Sequence, residues 1–415
     1  MVLGAAVSLA ACGGSENKSA SFNMTIGHLA PVTGYLSDFA PPAGKAADLA
    51  AAQINQAIDE VGADQTVTLK QKDDHTDTRA GVRAARELVD ADNATCLVGS
   101  WSAAVSQRVA KEVAIPDKVL QISPAVTDEV LSDLADNGLV NRTATPDSLQ
   151  GSALADVIED NLGGAQGKRV SIGASNDAYG KSIARSFGVA WQRKGGRVGS
   201  RVSYGPEQRS YGSEAKKIVS GGPAAFVIAG SVTSYQKLGP ALVRTGRWDP
   251  AKTFVTDGLA SNNLPKLAGS DATEGMRGTV PGSPDTGEAA ESFDQLYTKD
   301  AGSSRGLFDA QTFDAVILCY LAAVAAGRPD GADLAQELRA VSGPGGKKYT
   351  WEQLPDAIKA LQGGDDIDYE GASGPIDLDD KGDPTAGVYD LFRFKDGKAD
   401  VFGEVPVAPD ANRDG

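Results

Sequence analysis

Short apolar runs alternate with longer amphipathic segments from about residue 22 to residue 258, and this order limits the possible folds more than any other feature. Runs such as "TVTLKQKD" and "ATCLVGS" are typical of strands, whereas segments with apolar residues three and four positions apart are typical of helices. Strands that alternate with helices form parallel sheets that are covered by helices on both faces. Because the order restarts after about Asp147, the sequence predicts two α/β units in tandem.

From about Pro281 the sequence predicts further helices and then a hairpin. The segment "YDLFRFKDGKADVFGEV" contains two alternating runs joined at Asp396-Gly397. An Asp-Gly pair between such runs is a strong signal for a hairpin turn. Residues 406–415 are expected to form a disordered tail, because chain ends without apolar residues to bury are poorly ordered.

The length and the charge of the chain limit its architecture and its partners. A chain of 415 residues is long for one hydrophobic core, so two or three domains are expected. Its 55 acidic residues outnumber its 40 basic residues, which gives a formal net charge of −15. Non-specific binding to nucleic acid requires a basic surface, so we expect no nucleic-acid partner.

The first 21 residues have the pattern of a processed and anchored N-terminus. Residues 1–11 form an apolar stretch that is too short to cross a bilayer and that is typical of the end of a secretory signal. The sequence "LAAC", which ends at Cys12, resembles a bacterial lipobox, so Cys12 is the expected lipidation site. Residues 12–21 would then be the lipid anchor and a flexible tether. Because residues 1–11 contain no Lys or Arg, we expect the translation start to lie upstream.

The two other cysteines leave two interpretations open. Cys96 lies in an apolar strand pattern and Cys319 in an apolar helix pattern. Outside the cytoplasmic membrane the two could form a disulfide. Two buried thiols are favoured over a bridge, because the residues are far apart in the sequence and their geometry cannot be read from it.

The common catalytic and metal-binding motifs are absent from the sequence, which predicts a protein that is not an enzyme and has no cofactor or metal. There is no Gly-x-Ser-x-Gly, no Walker loop and no zinc-ligand spacing. A hydrolase with a serine and either His28 or His75 remains an alternative. The stretch "DLDDKGD", residues 377–383, is similar to a calcium loop, but Lys381 stands where such a loop needs an oxygen ligand. A solvated turn is therefore favoured.

Polar residues follow several of the predicted strands at the edge where ligands bind in open α/β sheets. Ser102 follows "ATCLVGS", and Thr127 follows "KVLQIS"; their hydroxyls and nearby helix N-termini suit a carboxylate. Asp257 follows a strand of the second unit and suits an ammonium group. The alternatives are simple helix caps for Ser102 and Thr127 and an Asp-Gly turn for Asp257. Together the residues predict a site for a zwitterion.

The sequence also resembles the leucine/isoleucine/valine-binding proteins, which are type I periplasmic binding proteins that feed ABC importers. The resemblance covers residues 22–405 and rests on ordered motifs, among them "IGHLAPVTG", "LVGSWSA", "QISPAVTD", "NDAYGKSIARSF", "EGMRGTVP" and "YEGASGPIDLDDKGD". It implies two Rossmann-like α/β lobes joined by a three-segment hinge, which close on a ligand as a Venus flytrap does. Lobe one would comprise residues 22–145 and 281–375, and lobe two residues 146–280 and 376–405.

The same resemblance implies roles for individual residues. Ala125 and Thr127 match the loop that holds the head group of the ligand, and Asp257 matches a carboxylate that binds the α-ammonium. Ser102, or Ala103 if the register differs by one, falls at the position of a carboxylate-binding serine. The other implied ligand-binding residues are Phe39 as an aromatic platform, Trp101 as a space-filling ring, Asp147 at the first crossing, Tyr179 on lobe two, and Ser231 in place of a tyrosine.

Taken together, the sequence predicts a monomeric solute-binding lipoprotein of an ABC importer on the outer face of the cytoplasmic membrane. It would bind a branched-chain or related amino acid, contact the membrane only through its lipid anchor, and have permease and ATPase subunits as partners. One alternative is a sensor that presents its closed form to a signalling receptor. Another is a binding protein for an amide, urea or an aromatic acid.

Overall fold

The first part of the chain forms a five-stranded parallel sheet with the order β2-β1-β3-β4-β5. Strands β3 and β4 are buried almost throughout, because helices cover both faces of the sheet. The strands are β1 (Phe22–Ala30), β2 (Gln65–Asp73), β3 (Ala94–Val98), β4 (Leu120–Ser123) and β5 (Val140–Arg142). The helices of this part are α1 (Ala40–Val61), α2 (Thr78–Arg86), α3 (Ala103–Val109) and α4 (Ile115–Asp117).

The second part repeats the alternation and supplies five strands of a seven-stranded sheet, with the order β15-β14-β10-β9-β8-β6-β7. Its strands are β6 (Arg169–Ser175), β7 (Arg197–Tyr204), β8 (Ala225–Ala229), β9 (Thr253–Val255) and β10 (Arg277–Pro281). Its helices are α5 (Asp147–Leu162), α6 (Ala178–Arg193), α7 (Gly212–Ile218), α8 (Val232–Val243), α9 (Leu264–Ala268) and α10 (Ser270–Thr273).

The third part returns to the first lobe and then to the second. Its helices are α11 (Glu288–Ala301), α12 (Asp309–Ala326), α13 (Gly331–Ser342) and α14 (Leu354–Gly363). A small sheet contains β11 (Lys347–Thr350), β12 (Ile367–Gly371) and β13 (Gly374–Pro375), and the final hairpin contains β14 (Gly387–Lys395) and β15 (Lys398–Val407). This hairpin is antiparallel and β14 pairs antiparallel with β10, so the second sheet is mixed, whereas β6 to β10 pair in parallel as expected.

These connections make an α/β protein of two lobes, as the sequence predicts, because the chain crosses between the two sheets three times. The crossings follow β5, follow β10, and lie between β13 and β14. At the first crossing, the Thr145 hydroxyl donates a hydrogen bond of 2.7 Å to the Tyr389 hydroxyl of β14. The division into residues 22–145 with 281–375 and 146–280 with 376–405 stays a proposal.

Helix α12 is the centre of the first core. Its residues pack with those of α1, β1, β3 and β4 in one apolar cluster. It is long and apolar enough to cross a membrane, but 89% of that stretch is buried inside the protein, as in the core helix of a globular fold. The first lobe therefore depends on a helix that begins only at Asp309, although the last strand of the first sheet ends at Arg142.

Cys96 of β3 and Cys319 of α12 form a disulfide, which corrects the preference for two separate thiols. Their Cα atoms are 6.0 Å apart and both side chains are fully buried. The sequence could not show this, because only the packing of α12 on the sheet brings the two residues together.

The computed structural model describes residues 20–282 and 287–407. The signal-like residues 1–11 and Cys12 lie outside the described residues, as does most of the expected tether. The tail was expected to begin at Pro406, but Pro406 and Val407 are the last residues of β15, paired with β14. The rest of that tail lies outside the described residues.

Replacing both bridged cysteines, in the variant Cys96→Ala with Cys319→Ala, should lower the free energy of unfolding by about 2–5 kcal/mol. The bridge closes a loop of more than two hundred residues, and its loss frees the unfolded chain. Guanidinium unfolding followed by tryptophan fluorescence measures the difference. Without reductant, denatured wild type and variant should show equal thiol counts; two extra reactive thiols in the wild type would mean that no bridge forms.

Candidate functional site

A cleft of about 770 Å³, including the space open to solvent, lies between the carboxyl ends of strands from the two sheets. Its walls come from the segments that follow β1, β3 and β4 on lobe one and β6, β8 and β9 on lobe two. The residues that line it are Tyr35, Leu36, Phe39, Trp101, Ser102, Ala103, Ala104, Ala125, Val126, Thr127, Asp128, Asp177, Ala178, Tyr179, Gly230, Ser231, Asp257, Gly258 and Phe308.

The loop after β4 presents backbone and hydroxyl groups to the cleft from lobe one. The Ser123 hydroxyl accepts a hydrogen bond of 3.1 Å from the Val126 amide, which fixes the turn at Ala125. The Asp147 amide donates to the Thr127 carbonyl at 2.8 Å. The loop is thus held at both ends, and Thr127 lines the cleft. A hydroxyl donor on a loop that is fixed in this way suits a carboxylate.

An aromatic wall completes the lobe-one side. The rings of Phe39 and Trp101 stack with centroids 6.0 Å apart, and Phe308 meets Trp101 edge to face at 5.6 Å. The Tyr35 hydroxyl lies 3.3 Å from the Ser102 hydroxyl. Phe308 has φ of 61°, an unusual conformation for a bulky residue, and such strain is common at binding sites. Rings of this kind suit an apolar side chain on the ligand.

On lobe two, Tyr179 holds the Asp257 carboxylate in place. The Tyr179 hydroxyl donates to Asp257 Oδ1 at 2.9 Å and lies 2.6 Å from the Thr256 hydroxyl. A Cβ atom at Gly258 would lie 2.3 Å from the Gly230 carbonyl oxygen and 3.3 Å from the Tyr179 ring. Glycine at this position therefore lets the strand end approach both.

Two further polar residues of this side also have structural partners. The Ser231 hydroxyl and Ser234 form a capping box at the start of α8. The Asp177 carboxylate accepts from the Gly180 amide at 2.8 Å and so caps α6. Both residues line the cleft as well.

Two buried carboxyl groups dominate the electrostatics of the site. Burial raises the pKa of Asp257 to about 6, against the hydrogen bond from Tyr179 that lowers it. Burial also raises the pKa of Asp147 well above its usual range, and the nearby charge of Asp257 adds to this effect. The hydroxyls of Thr127 and Ser182 act on Asp147 in the opposite direction, but neither carboxyl oxygen has a hydrogen bond of ordinary geometry. Asp147 is therefore the group that holds a proton most readily here.

The charge of the cleft has one sign. The charged residues among those that line it are Asp128, Asp177 and Asp257, and none of the lining residues is Lys, Arg or His. An ammonium group on the ligand would be attracted to this surface, whereas a ligand with only negative charge would be repelled. Among the described residues, no three His, Cys, Asp or Glu side chains are grouped to hold a metal ion.

The structure brings together nearly all the residues that the sequence singled out. Asp147 is the exception: it is fully buried at the start of α5, behind the Thr127 loop, and does not line the cleft. His28 and His75, the candidates for a hydrolase, do not line the cleft either. The residues that line the cleft and that the sequence analysis singled out are Phe39, Trp101, Ser102, Ala103, Ala125, Thr127, Tyr179, Ser231 and Asp257.

Sequence reasoning missed several residues of the cleft, notably Tyr35, Asp177 and Phe308. Tyr35 and Asp177 follow β1 and β6, so the argument from strand ends could have found them. Phe308 precedes a helix of the third part and reaches the cleft only because α12 packs on lobe one. No local pattern marks it.

Comparison with known proteins gives one family. The family model "Periplasmic binding protein" matches residues 23–398. The "Leu/Ile/Val-binding protein homolog 3" of Brucella melitensis is 33% identical over 175 residues, which are 42% of this chain and 45% of that protein. The match thus spans less than half of that relative.

Two other similarities cover most of the chain. The chemotactic signal transduction system substrate-binding protein BasB of Halobacterium salinarum is 26% identical over 373 residues, 88% of this chain and 85% of that protein. The structure of the branched-chain amino acid transporter substrate-binding protein LivJ from Streptococcus pneumoniae, in complex with isoleucine, aligns with a TM-score of 0.74 and 19% identity. It covers 93% of this chain and 100% of that one, which shows a shared fold.

Replacing the buried Asp147 by Asn should make the ligand-free protein more stable than wild type, and the difference should grow with pH. The folded state holds the Asp147 proton more tightly than the unfolded chain does, because the pKa of this carboxyl group is near 3.8 when the chain is unfolded. The contribution of Asp147 to wild-type stability therefore falls as pH rises above about 4, whereas the neutral amide does not titrate. Between pH 5 and pH 8 the difference should therefore increase as pH rises.

Urea unfolding at several pH values measures this difference. The control is Asp366→Asn, which removes the same charge from an exposed position. Its stability relative to wild type should change little over the same range. A difference for Asp147→Asn that stays constant with pH would show that Asp147 titrates as an ordinary carboxyl group does.

Proposed function

The chain belongs to the periplasmic binding protein family, and from this premise we propose that it binds an amino acid with an apolar side chain between its two lobes. The observation that carries the proposal is the pairing of unlike groups across one cleft. Donors of the Thr127 loop and Ser102 lie on lobe one, and the Asp257 carboxylate lies on lobe two. A zwitterion has one group for each.

The division of the head-group partners between lobes couples binding to closure. A buried ammonium or carboxylate costs free energy unless hydrogen bonds to the protein replace those to water. One lobe alone offers partners to only one end of the zwitterion. Both ends are satisfied when the lobes approach, so the ligand favours the closed form.

The ligand side chain would lie against the aromatic wall. Phe39, Trp101 and Phe308 offer apolar ring surface on lobe one, and Ser231 leaves room on lobe two. These features support a branched-chain or larger apolar side chain. The relative from Brucella melitensis is named for Leu, Ile and Val, which agrees with this ligand class.

The cellular role would be delivery of the ligand to an ABC importer, with permease and ATPase subunits as partners and Cys12 as a lipid anchor. The protein would then lie outside the cytoplasmic membrane as a monomer. One finding favours a second role as a sensor, since the relative from Halobacterium salinarum is named as part of a chemotactic system. Binding to purified permease or to a receptor domain would separate the two roles.

The acidic cleft argues against the alternative ligand classes, which are an aromatic acid and a neutral amide or urea. An aromatic acid without an amino group would bring a carboxylate to a site whose charged lining residues are all aspartates. A neutral amide or urea would leave the Asp257 charge without a counter-ion. A zwitterion satisfies both ends, and mass spectrometry of the small molecules released from denatured protein would identify it.

Replacing Asp257 by Asn should weaken binding of that amino acid by more than about tenfold. The substitution keeps the shape of the side chain but removes the charge that the ammonium meets, and a hydrogen bond between charged groups contributes about 1.5–3 kcal/mol. Titration calorimetry at pH 7.5 measures the dissociation constants. Equal affinity in wild type and variant would remove Asp257 from the site.

The pH dependence of binding is the matched control for this variant. Since the pKa of Asp257 in the free protein is about 6, wild-type affinity should fall as pH drops through 6, by about tenfold at pH 5. The ligand carboxylate stays ionised in this range. The Asp257→Asn variant should show a much flatter profile, and Asp366→Asn should behave as wild type does.

Replacing Cys12 by Ser in the full-length precursor should release the protein from the membrane fraction. Serine cannot form the thioether to lipid that anchors such proteins, and residues 12–21 are mostly polar apart from the lipid. Fractionation of cells followed by immunoblotting measures the distribution. A variant that remains in the membrane fraction to the same extent as wild type would show that another segment anchors the chain.

A further inference from the structure

Arg142 is the most deeply buried cation among the described residues, and it lies outside the cleft. It is the last residue of β5, and its side chain has no exposed surface. A buried guanidinium is costly unless each of its nitrogen atoms has a partner. The partners of Arg142 therefore indicate why the position is charged.

Two of the guanidinium nitrogens bind the segment after β4 that contains Val126, Thr127 and Asp128, which is called the ligand loop below. Nη1 donates to the carbonyl oxygens of Asp128, at 2.7 Å, and Val126, at 3.2 Å. Nη2 donates to the Ser132 hydroxyl at 2.7 Å. Val126 and Asp128 flank Thr127, so Arg142 fixes the backbone on either side of the residue that faces the ligand.

The third nitrogen contacts the third crossing between the lobes. Arg142 Nε lies 2.7 Å from Asp383 Oδ1 in an ion pair that lacks the geometry of a hydrogen bond, and the Arg142 amide donates to the Gly382 carbonyl at 3.0 Å. Gly382 has φ of 75°, and a Cβ atom there would lie 2.5 Å from Asn141 Oδ1. Because position 382 is glycine, the third crossing can lie closer to β5 than a residue with a side chain at this position would permit.

The turn that carries Asp383 is itself well fixed. The Asp379 carboxylate accepts from the amides of Lys381, at 2.8 Å, and Asp383, at 3.0 Å. The Asp379 amide in turn donates to the Asp383 carbonyl at 2.9 Å. This is the "DLDDKGD" stretch, in which the acidic side chains hold a turn and an arginine. If this turn shifts, residues 379–383 would move together and would carry the Asp383 carboxylate with them.

We propose that Arg142 is a positioning residue that couples the third hinge crossing to the ligand loop, so that movement of the hinge alters the donors presented to the ligand. The first crossing adds to this coupling, because Asp147, which lies on that crossing, donates its backbone amide to the Thr127 carbonyl of the same loop. The inference rests on the proposed function only for what the loop binds. The coupling itself is a property of the ligand-free protein.

The test compares Arg142→Lys and Asp383→Asn with Arg339→Lys as the matched control. A lysine has one nitrogen and cannot hold the loop and Asp383 together. Arg339 pairs with Asp380 of the same turn at 2.8 Å, but its side chain is half exposed, so its replacement should have no effect on the loop. Asp383→Asn keeps the shape of the side chain and removes its charge, so it tests the same contact if Arg142→Lys does not fold.

Hydrogen exchange of the ligand-free proteins is the first readout. Amides of Val126, Val130 and Asp147 should exchange faster in Arg142→Lys and in Asp383→Asn, but at the wild-type rate in Arg339→Lys. The effect of Asp383→Asn is decisive, because Asp383 contacts the guanidinium and not the loop amides. Faster exchange spread evenly over the first sheet, or unchanged exchange at these three amides, would overturn the coupling.

Titration calorimetry with leucine, isoleucine, valine and phenylalanine is the second readout. An amino acid that binds the wild type should bind Arg142→Lys at least about fivefold more weakly, at a temperature where the variant is fully folded. Unchanged affinity together with faster loop exchange would show that the loop position does not set affinity, and would overturn the inference. If none of these amino acids binds the wild type, the proposed function fails, while the exchange experiment still decides the coupling.

Discussion

The packing of α12 on the first sheet is the constraint on which the rest of the structure depends. The strands of that sheet lie within residues 22–142, but the helix that fills its core lies at 309–326. The chain must therefore leave the first lobe, build the second, and return. This route makes several crossings unavoidable and places the cleft between the lobes. It also brings Phe308, which directly precedes the helix, against Trp101.

Burial of carboxyl groups makes the ligand-free cleft costly in free energy. Asp257 is buried beside a second carboxyl group, that of Asp147, and it accepts a hydrogen bond from the Tyr179 hydroxyl. The raised pKa of both acids reflects the cost of charge in this place. An ammonium group would offset that cost, because it supplies opposite charge and donors where water is excluded. Part of the free energy of binding an ammonium ligand would thus come from removing a cost that is already present in the free protein.

Much of the fold could be predicted from the sequence, because its signals are local. The period of the apolar residues identifies the main helices, and Asp396-Gly397 does join β14 to β15. The small sheet β11–β13, strand β10 and helix α14 were not identified, since β13 is two residues long and β10 takes part in a mixed sheet. The argument from strand ends led to Thr127 and Asp257, because parallel strands bring their carboxyl ends to one edge.

The remaining features depend on contacts between distant segments, which a single sequence does not show. The disulfide joins β3 to α12, and the ion pair of Arg142 with Asp383 joins β5 to the third crossing. Asp147 was expected in the cleft, yet the start of α5 places it behind the Thr127 loop.

The position of Asp147 bears on how the site can distinguish its ligand. A second ionised carboxylate beside Asp257 would favour a ligand with two positive charges. Burial and the charge of Asp257 instead favour the protonated form of Asp147. Of these two carboxyl groups, only Asp257 then carries a negative charge, opposite the uncharged donors of Ser102 and the Thr127 loop. That balance fits a ligand with one ammonium and one carboxylate, and it follows from where α5 begins rather than from any residue that touches the ligand.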